Sequence, residues 1–169
     1  MCTGGAAPAV PAVAAAAPPP PQVTEAMVLT AFRRIPLPGL RSISQPAGKT
    51  LINFDTIFHT QAQPLSRTVT LLGQQVRLAI QPARFTWVHG DGTSDTTTTP
   101  GAAYPSKEVV HRYQHAHTTV EHHVVVTWTA QWSLNGGPLR PVTGTVTTTG
   151  PDTALRVAEA SPALSGEGH

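Results

Sequence analysis

The sequence predicts an all-β protein, an antiparallel β-sandwich with one short helix near its N-terminus. About eight short segments alternate between apolar and polar residues, and turn signals containing Gly, Pro or Asn separate them. Charged residues make up only 12% of the chain, against roughly 25% in ordinary soluble domains. Threonine and valine take their place, as is typical of exposed β faces. These observations favour strands throughout the main domain.

The N-terminal segment, residues 1–22, consists almost entirely of Ala, Pro, Gly and Val. It has too little to bury and too many prolines for a helix or a sheet, so we expect a disordered, extended linker. Residues 23–40 are predicted to form a short helix, capped by Thr24, and a Pro-rich turn. Its apolar stripe packs on the domain or, alternatively, binds a partner. Residues 41–160 are assigned to the sandwich and residues 161–169 to a frayed tail.

The alternation of apolar and polar residues predicts the first strands. Residues 51–58 place Ile52, Phe54, Thr56 and Phe58 on one face. Residues 65–72 and 75–81 form a predicted hairpin through a turn at Gly73 and Gln74, and Pro82 is expected to end the second strand. A separate strand begins at Arg84, and it puts Phe85, Trp87 and His89 on a covered face.

The second half of the chain continues the pattern. Residues 93–99 suit an exposed edge strand, residues 109–113 a short strand, and residues 124–134 show the clearest alternation of all. A tight turn at Asn135 leads to a return strand over residues 139–149, and a last strand covers 154–158. Trp128 and Trp132 share one strand face. We predict that they belong to the core; the alternative is an exposed platform for sugars.

A short motif at the end of the aromatic strand resembles a known family. Trp87-x-His89-Gly90-Asp91-Gly92 is similar to the Trp-x-Phe-Gly-Asp-Gly signature of PKD domains, and His111-Arg112-Tyr113 resembles their later His/Thr-x-Tyr marker. His89 departs from the usual Phe, and the loop after residue 93 is long. The lead-in at residues 31–38 also looks like that of uncharacterised secreted or envelope proteins of high-GC actinobacteria.

This resemblance implies an immunoglobulin-like (PKD-type) sandwich outside the cytoplasm, in the extracellular space or cell envelope. The implied role is non-enzymatic: binding of a cell-surface protein or polysaccharide, or spacing. Trp87, His89, Gly90, Asp91, Gly92, His111 and Tyr113 are then structural motif residues.

Composition excludes several other classes. A formal net charge of +2 is too weak to indicate nucleic-acid binding, and no apolar run is long enough to span a membrane. A single cysteine rules out an internal disulfide framework. Cys2, followed by small residues, is similar to the lipidated cysteine of bacterial lipoproteins and is a candidate lipid anchor. Nucleotide-binding and hydrolase motifs are absent.

Histidines are concentrated between residues 111 and 123, so we consider whether they could bind a metal ion. His115 and His117 could converge with Glu121 or His122, but adjacent histidines on a strand point to opposite faces. We therefore expect no cofactor or metal. A metal-dependent enzyme built on this cluster remains the alternative, as does an acid/base group of Asp91, His89 and His111, and a pH-responsive assembly protein is a third class.

Candidate ligand contacts lie mainly in two loops, residues 93–107 and 114–119. They are Trp87, Asp91, Asp95, Tyr104, His115 and His117. Asp91 and Asp95 could also bind Ca²⁺, but two carboxylates are few for that ion. For Asp91 we prefer a role in capping its own turn.

Overall fold

The computed structural model describes residues 22–160, and the predictions for the linker up to Pro21, for Cys2 as a lipid anchor and for the 161–169 tail lie outside this range. The described chain contains one helix and two β-sheets, so the all-β prediction is confirmed. The elements in chain order are α1 (Glu25–Arg34), β1 (Ile43–Gln45), β2 (Lys49–Leu51), β3 (Thr56–His59), β4 (Leu65–Leu71), β5 (Gln74–Val88), β6 (Ser94–Thr97), β7 (Val110–His111), β8 (Thr118–Leu134), β9 (Arg140–Pro141), β10 (Val146–Thr149) and β11 (Thr153–Ala158).

The two sheets differ greatly in size. The large sheet has the order β2-β11-β8-β5-β4, with β9 and β10 also paired to β8 and β6 paired to β5; the small sheet has the order β1-β3-β7. All pairs are antiparallel except β2 with β11, which run parallel. The predicted antiparallel arrangement therefore holds except for one parallel pair at this edge.

The centre of the large sheet is the pairing of β5 with β8. β5 is one strand of 15 residues, so the prediction that Pro82 ends a strand is wrong. The register shifts between Pro82 and Arg84, and Ala83 has no partner on β8. Pro82 is tolerated because it lies at this bulge, where β4 has ended and β6 has not yet begun.

The extra residue changes which side chains face the core. Before the bulge the buried positions of β5 are Val76, Leu78 and Ile80, and after it they are Phe85 and Trp87. Even-numbered and odd-numbered positions can share one face only because Ala83 shifts the alternation by one residue. β8 needs no such shift. Its inward residues alternate without interruption: Val120, His122, Val124, Val126, Trp128, Ala130 and Trp132.

Turn chemistry sets both hairpins of the large sheet. β4 and β5 join through Leu72 (φ 51°) and Gly73 (φ 74°), one residue earlier than predicted. β8 turns at Asn135 (φ 49°) and Gly136 (φ 79°), as predicted. Two consecutive positive φ angles match the twist of the flanking strands. The return strand predicted over residues 139–149 is divided into β9 and β10.

The strand predicted over residues 51–58 is interrupted. The chain leaves β2 after Leu51, turns through Asn53 at φ 56°, and enters β3 at Thr56. Phe58 is fully buried as expected, but Phe54 is 56% exposed. Apolar alternation here is not that of a single strand, because the turn falls in the middle of it.

Helix α1 is capped by Thr24, whose hydroxyl accepts a hydrogen bond from the Met27 N–H at 3.2 Å. Val28 and Phe32 are fully buried in the same hydrophobic core as the sheet residues. The small sheet contributes Phe58 to this core. The helix thus belongs to the domain rather than to a separate N-terminal unit. Within the described residues, no helix is long and apolar enough to cross a membrane.

The bulge gives a direct test of this architecture. Deleting Ala83 would turn the buried residues on one side of the bulge away from the core, either Val76, Leu78 and Ile80 or Phe85 and Trp87. We therefore expect the free energy of unfolding to fall by more than about 5 kcal/mol, enough to unfold an ordinary domain. Loss of near-UV circular dichroism would report it. Ala83→Ser keeps the residue count and should change the free energy of unfolding by about 0.5 kcal/mol or less. A deletion variant as stable as the Ser variant would contradict the register described above.

Candidate functional site

Two histidines and two aspartates meet just beyond the end of β5, and we call them the histidine–aspartate cluster: His89, Asp91, Asp95 and His111. His89 Nε2 lies 2.9 Å from Asp95 Oδ2, and His111 Nε2 lies 2.8 Å from Asp91 Oδ2. The two imidazole rings are stacked, with centroids 4.0 Å apart and planes within 3° of parallel. His89 directly follows β5, and the other three members come from the Gly-Asp-Gly turn, β6 and β7.

The turn itself is held by Asp91. Its Oδ1 accepts the Thr93 N–H at 3.1 Å and the Thr93 hydroxyl, so the predicted turn-capping role is confirmed. The His89 N–H donates to the Thr93 carbonyl at 3.1 Å, which closes the loop. The Tyr113 hydroxyl donates to the His89 carbonyl at 2.8 Å. The two motifs of the PKD resemblance, the Gly-Asp-Gly turn and His111-Arg112-Tyr113, therefore lie at one place.

The environment fixes the protonation of these groups. Burial lowers the pKa of His89, and the hydrogen bond to Asp95 offsets this only in part. Burial alone would raise the pKa of Asp91, but hydrogen bonds from Thr93 and His111 outweigh it and hold that pKa below its usual value. Because a carboxylate only accepts, neutral His89 donates from Nε2. Its buried Nδ1 is then an unprotonated acceptor with no hydrogen-bond partner.

Ligand atoms of His89, Asp95 and His111 all lie within 4.8 Å of one another, which invites comparison with a metal site. A metal ion binds imidazole in the plane of the ring, and two parallel stacked rings cannot both direct a nitrogen at one ion. Metal on Nε2 of His89 would also move the proton to Nδ1, where a buried donor would have no acceptor. The arrangement does not fit a bound metal ion.

The same geometry bears on acid/base chemistry. The structure brings Asp91, His89 and His111 together, as the acid/base alternative requires. However, the Nε2 atom of each histidine is engaged by a carboxylate of the cluster, and His89 is only 1% exposed. The arrangement is suited to fastening β6, β7 and the turn to the end of β5.

A third histidine, His122, is buried on β8 nearby. Its Nδ1 lies 2.8 Å from the Ser42 hydroxyl, and its Nε2 has no hydrogen-bond partner. The Phe58 ring contacts both His89 and His122, with centroid distances of 5.0 and 5.1 Å. Burial lowers the pKa of His122 to about 4, so the core holds it neutral.

Arg112, the residue that follows β7, borders a surface cleft of about 420 Å³, which we call the aromatic cleft. It is lined by Gln45, Pro46, Asn53, Phe54, Asp55, Ile57, Tyr104, Lys107 and Arg112. Phe54 is 56% exposed and Tyr104 is 70% exposed. Every other Phe, Trp and Tyr side chain of the chain is buried. The two exposed aromatic rings therefore line the same cleft.

Charged groups form one wall of the aromatic cleft. Asp55 accepts from Arg112 Nε at 2.7 Å and from Lys107 Nζ at 3.1 Å. These two bonds, that from Arg112 foremost, hold the pKa of Asp55 below its usual value. The Tyr104 N–H donates to Gln45 Oε1 at 2.7 Å, which fixes the loop that carries Tyr104. The cleft combines apolar faces with a few convergent polar groups, as ligand sites generally do.

A larger groove of about 590 Å³ lies between α1 and β4. Its walls are mostly apolar side chains, among them Met27, Ile35 and Leu71, and its polar lining residues are Thr30 and Arg34. It lacks the convergent polar groups that orient a ligand. We therefore place the candidate site in the aromatic cleft.

The predicted ligand contacts lie in four places: the aromatic cleft, the histidine–aspartate cluster, the core and an exposed loop. Tyr104 lines the aromatic cleft, whereas Asp91 and Asp95 belong to the histidine–aspartate cluster. Trp87 is 1% exposed, and its indole N–H donates to Thr97 Oγ1 at 3.0 Å, so it is a core residue and not a surface contact.

The two loop histidines lie apart from both sites. The side chain of His117 is 70% exposed and its Nε2 is 3.2 Å from Glu159, while His115 is exposed. Neither converges with His122, which points into the core, and no metal-ligand group forms around them in the described range. Trp128 and Trp132 are buried, so the core prediction is confirmed over the sugar platform.

Phe54 is the site residue that the sequence interpretation missed, together with its neighbours Asp55, Lys107 and Arg112. The alternation of residues 51–58 places Phe54 on the same strand face as Phe58, which is buried. A signal was present, because Asn53 and Asp55 flank Phe54 and both residue types favour turns.

Comparison of the chain with protein-family models, with curated proteins and with solved structures found no match. The PKD resemblance accordingly stays a prediction carried by its motif residues.

The two glycines of the Gly-Asp-Gly turn provide a matched pair of variants. Both have φ of +89°, but a Cβ on Gly90 would lie 2.6 Å from the Glu121 carbonyl oxygen, whereas a Cβ on Gly92 would meet nothing within 4 Å. Gly92→Ala should cost about 1 kcal/mol from backbone strain alone. Gly90→Ala should cost about 3 kcal/mol or more, because it also pushes the turn off β8. Urea unfolding measures both; equal losses would mean that the turn does not pack on Glu121.

The buried histidines predict acid sensitivity. In the unfolded state a histidine side chain binds a proton near pH ~6.5. In the folded state the pKa of His122 is lowered to about 4. The free energy of unfolding should therefore fall as the pH drops from about 6.5 to about 4, by about 3 kcal/mol for His122 alone. His89, whose pKa is also lowered, adds to the loss. Urea unfolding at several pH values measures it.

The control for this acid sensitivity removes both partners of the buried hydrogen bond between Ser42 and His122. The double variant Ser42→Ala, His122→Phe replaces two polar groups by apolar ones and should flatten the pH dependence. His117→Gln, at an exposed position, should leave it unchanged. An unaltered slope in the double variant would show that other groups cause the acid sensitivity.

Proposed function

We propose that this protein is a non-enzymatic binding module whose ligand is a glycan held in the aromatic cleft. The observation that carries the proposal is the placement of Phe54 and Tyr104. They are the exposed aromatic side chains of a chain that buries every other aromatic ring, and they line one cleft.

Exposed aromatic rings cost free energy in water unless a ligand covers them. The C–H face of a sugar ring packs well on the electron-rich face of an aromatic ring, and the sugar hydroxyls then stay free for hydrogen bonds. Gln45, Asp55, Lys107 and Arg112 supply polar partners around the same cleft. Apolar faces with a polar rim are the combination that a carbohydrate requires.

The PKD resemblance supports the same class of function and adds a location. Members of that family act outside the cytoplasm as spacing or binding modules, so we extend the proposal to an extracellular or cell-envelope protein. The Ala/Pro-rich composition of residues 1–22 suits a tether between the module and its attachment point.

An acid/base or metal-dependent enzyme is the competing function. Its strongest support is the meeting of His89, Asp91, Asp95 and His111. The Nε2 atom of each histidine is paired with a carboxylate of the cluster, and the stacked rings do not suit one ion. Binding of a ligand in the aromatic cleft does not require the hydrogen bonds of the cluster to break.

The test is a pelleting assay of the full chain with insoluble polysaccharides, including peptidoglycan, chitin and cellulose. We expect saturable binding to at least one of them, with and without EDTA. The double variant Phe54→Ala, Tyr104→Ala should bind at least about tenfold more weakly, since it removes both stacking surfaces. Circular dichroism should show no loss of fold, because both side chains are exposed.

Leu139→Ala is the matched control, because Leu139 is also exposed (49%) and does not line the cleft. It should bind like the wild type. Equal binding by the aromatic variant, or no binding by the wild type to any polysaccharide, would contradict the proposal. Binding that disappears with EDTA would instead favour a metal-dependent role.

A further inference from the structure

We infer that the glycan of the aromatic cleft is acidic, and that Arg112 receives its anionic group. This inference rests on the proposed function, since it names the class of sugar that the same cleft takes. It is carried by the arrangement of three charged side chains, Asp55, Lys107 and Arg112.

The cleft carries more positive than negative charge. Asp55 is its one acidic lining residue, and it is shared between the Arg112 guanidinium and the Lys107 ammonium. The remaining lining side chains are uncharged. One positive charge is therefore left without a partner in the wall of a cleft, where a ligand can partly exclude water and strengthen its effect.

The guanidinium is also oriented for a ligand. Arg112 donates to Asp55 through Nε, and neither of its Nη atoms has a hydrogen-bond partner in the described part of the chain. Two free Nη groups form a planar fork that matches a carboxylate or a sulfate in a bidentate manner. Because Asp55 holds the inner edge of the guanidinium, less conformational entropy is lost when the outer edge binds.

The side-chain exposure agrees with this role. Arg112 is 63% exposed and Lys107 is 56% exposed, while Asp55 between them is 26% exposed. Both cations are accessible, and the carboxylate that positions them is more covered. A sugar ring on Phe54 and Tyr104 and an acid group at Arg112 would use the two kinds of surface that the cleft offers.

Uronic acids and sulfated sugars share this chemistry, and matched probes separate them. For the carboxylate, oligogalacturonate is compared with its methyl ester, which keeps the sugar backbone and removes the charge. For the sulfate, dextran sulfate is compared with dextran. Binding to the full chain is measured by titration calorimetry at low and at moderate salt.

We expect at least one charged probe to bind about tenfold more tightly than its neutral partner, as a charge-assisted bidentate contact would produce. Arg112→Gln should abolish this preference while binding of the neutral probe is unchanged. Arg112→Lys keeps the charge but loses the fork, so it should retain part of the preference. Added salt should weaken only the charged probe.

Each other outcome has a distinct meaning. Equal binding of charged and neutral probes overturns this inference and leaves the glycan proposal standing. A preference that survives in Arg112→Gln also overturns it, because the anion then binds elsewhere. Equal weakening of both probes by Arg112→Gln would show a merely structural role for Arg112. If the wild type binds no probe and no polysaccharide, the proposed function fails together with the inference.

Discussion

The pairing of β5 with β8 across the bulge at Ala83 is the constraint on which the rest of the structure depends. It aligns the apolar residues of β5 on both sides of Pro82 against the uninterrupted inner face of β8. β4 and β6 pair with β5, and β9, β10 and β11 pair with β8, so the register of the whole large sheet follows from this one pairing. Without the extra residue, the end of β5 would carry His89 to the outside.

The two ends of the core are built differently. Around the bulge and towards the β8 hairpin, the interior is aromatic and aliphatic apart from the buried Ser133. Towards the small sheet it contains buried polar groups: Ser42, Ser44, Thr50, Thr56, Thr60, His89 and His122. Thr50 and Thr56 hydroxyls bond each other at 2.7 Å, and His122 bonds Ser42, so the small sheet is attached partly through hydrogen bonds. Buried networks of this kind specify geometry, but their histidines make the stability of the fold sensitive to pH.

The sequence predicts the elements wherever one local signal decides the outcome. Alternation identifies residues 124–134 of β8, although the strand begins earlier, at Thr118. Thr24 identifies the start of α1, and Asn135 with Gly136 identifies a hairpin. Prediction fails where two signals conflict. Pro82 normally ends a strand, but pairing on both sides carries β5 through it as a bulge.

The candidate site shows the same limit. The resemblance to the PKD motif named His89, Asp91, His111 and Tyr113, and the structure brings these residues together. The aromatic cleft depends on contacts between residues far apart in the chain, such as Asp55 with Lys107 and Arg112. Local patterns contain no information about such contacts, so the sequence predicts Tyr104 only as a ligand contact within a loop and places Phe54 on one strand face with Phe58.

β7 links the two sites in a way that makes them interdependent. His111 enters the histidine–aspartate cluster, and the next residue, Arg112, reaches the aromatic cleft on the other side. β7 is two residues long and is positioned by its pairing of His111 with Thr56 on β3. A slip of this pairing by a single residue would turn both side chains to the opposite faces. If Arg112 took the position of His111, its guanidinium would lie against the buried His89 imidazole and would be lost from the cleft. Loop length between β6 and β7 can therefore vary only if the register of this short strand is kept.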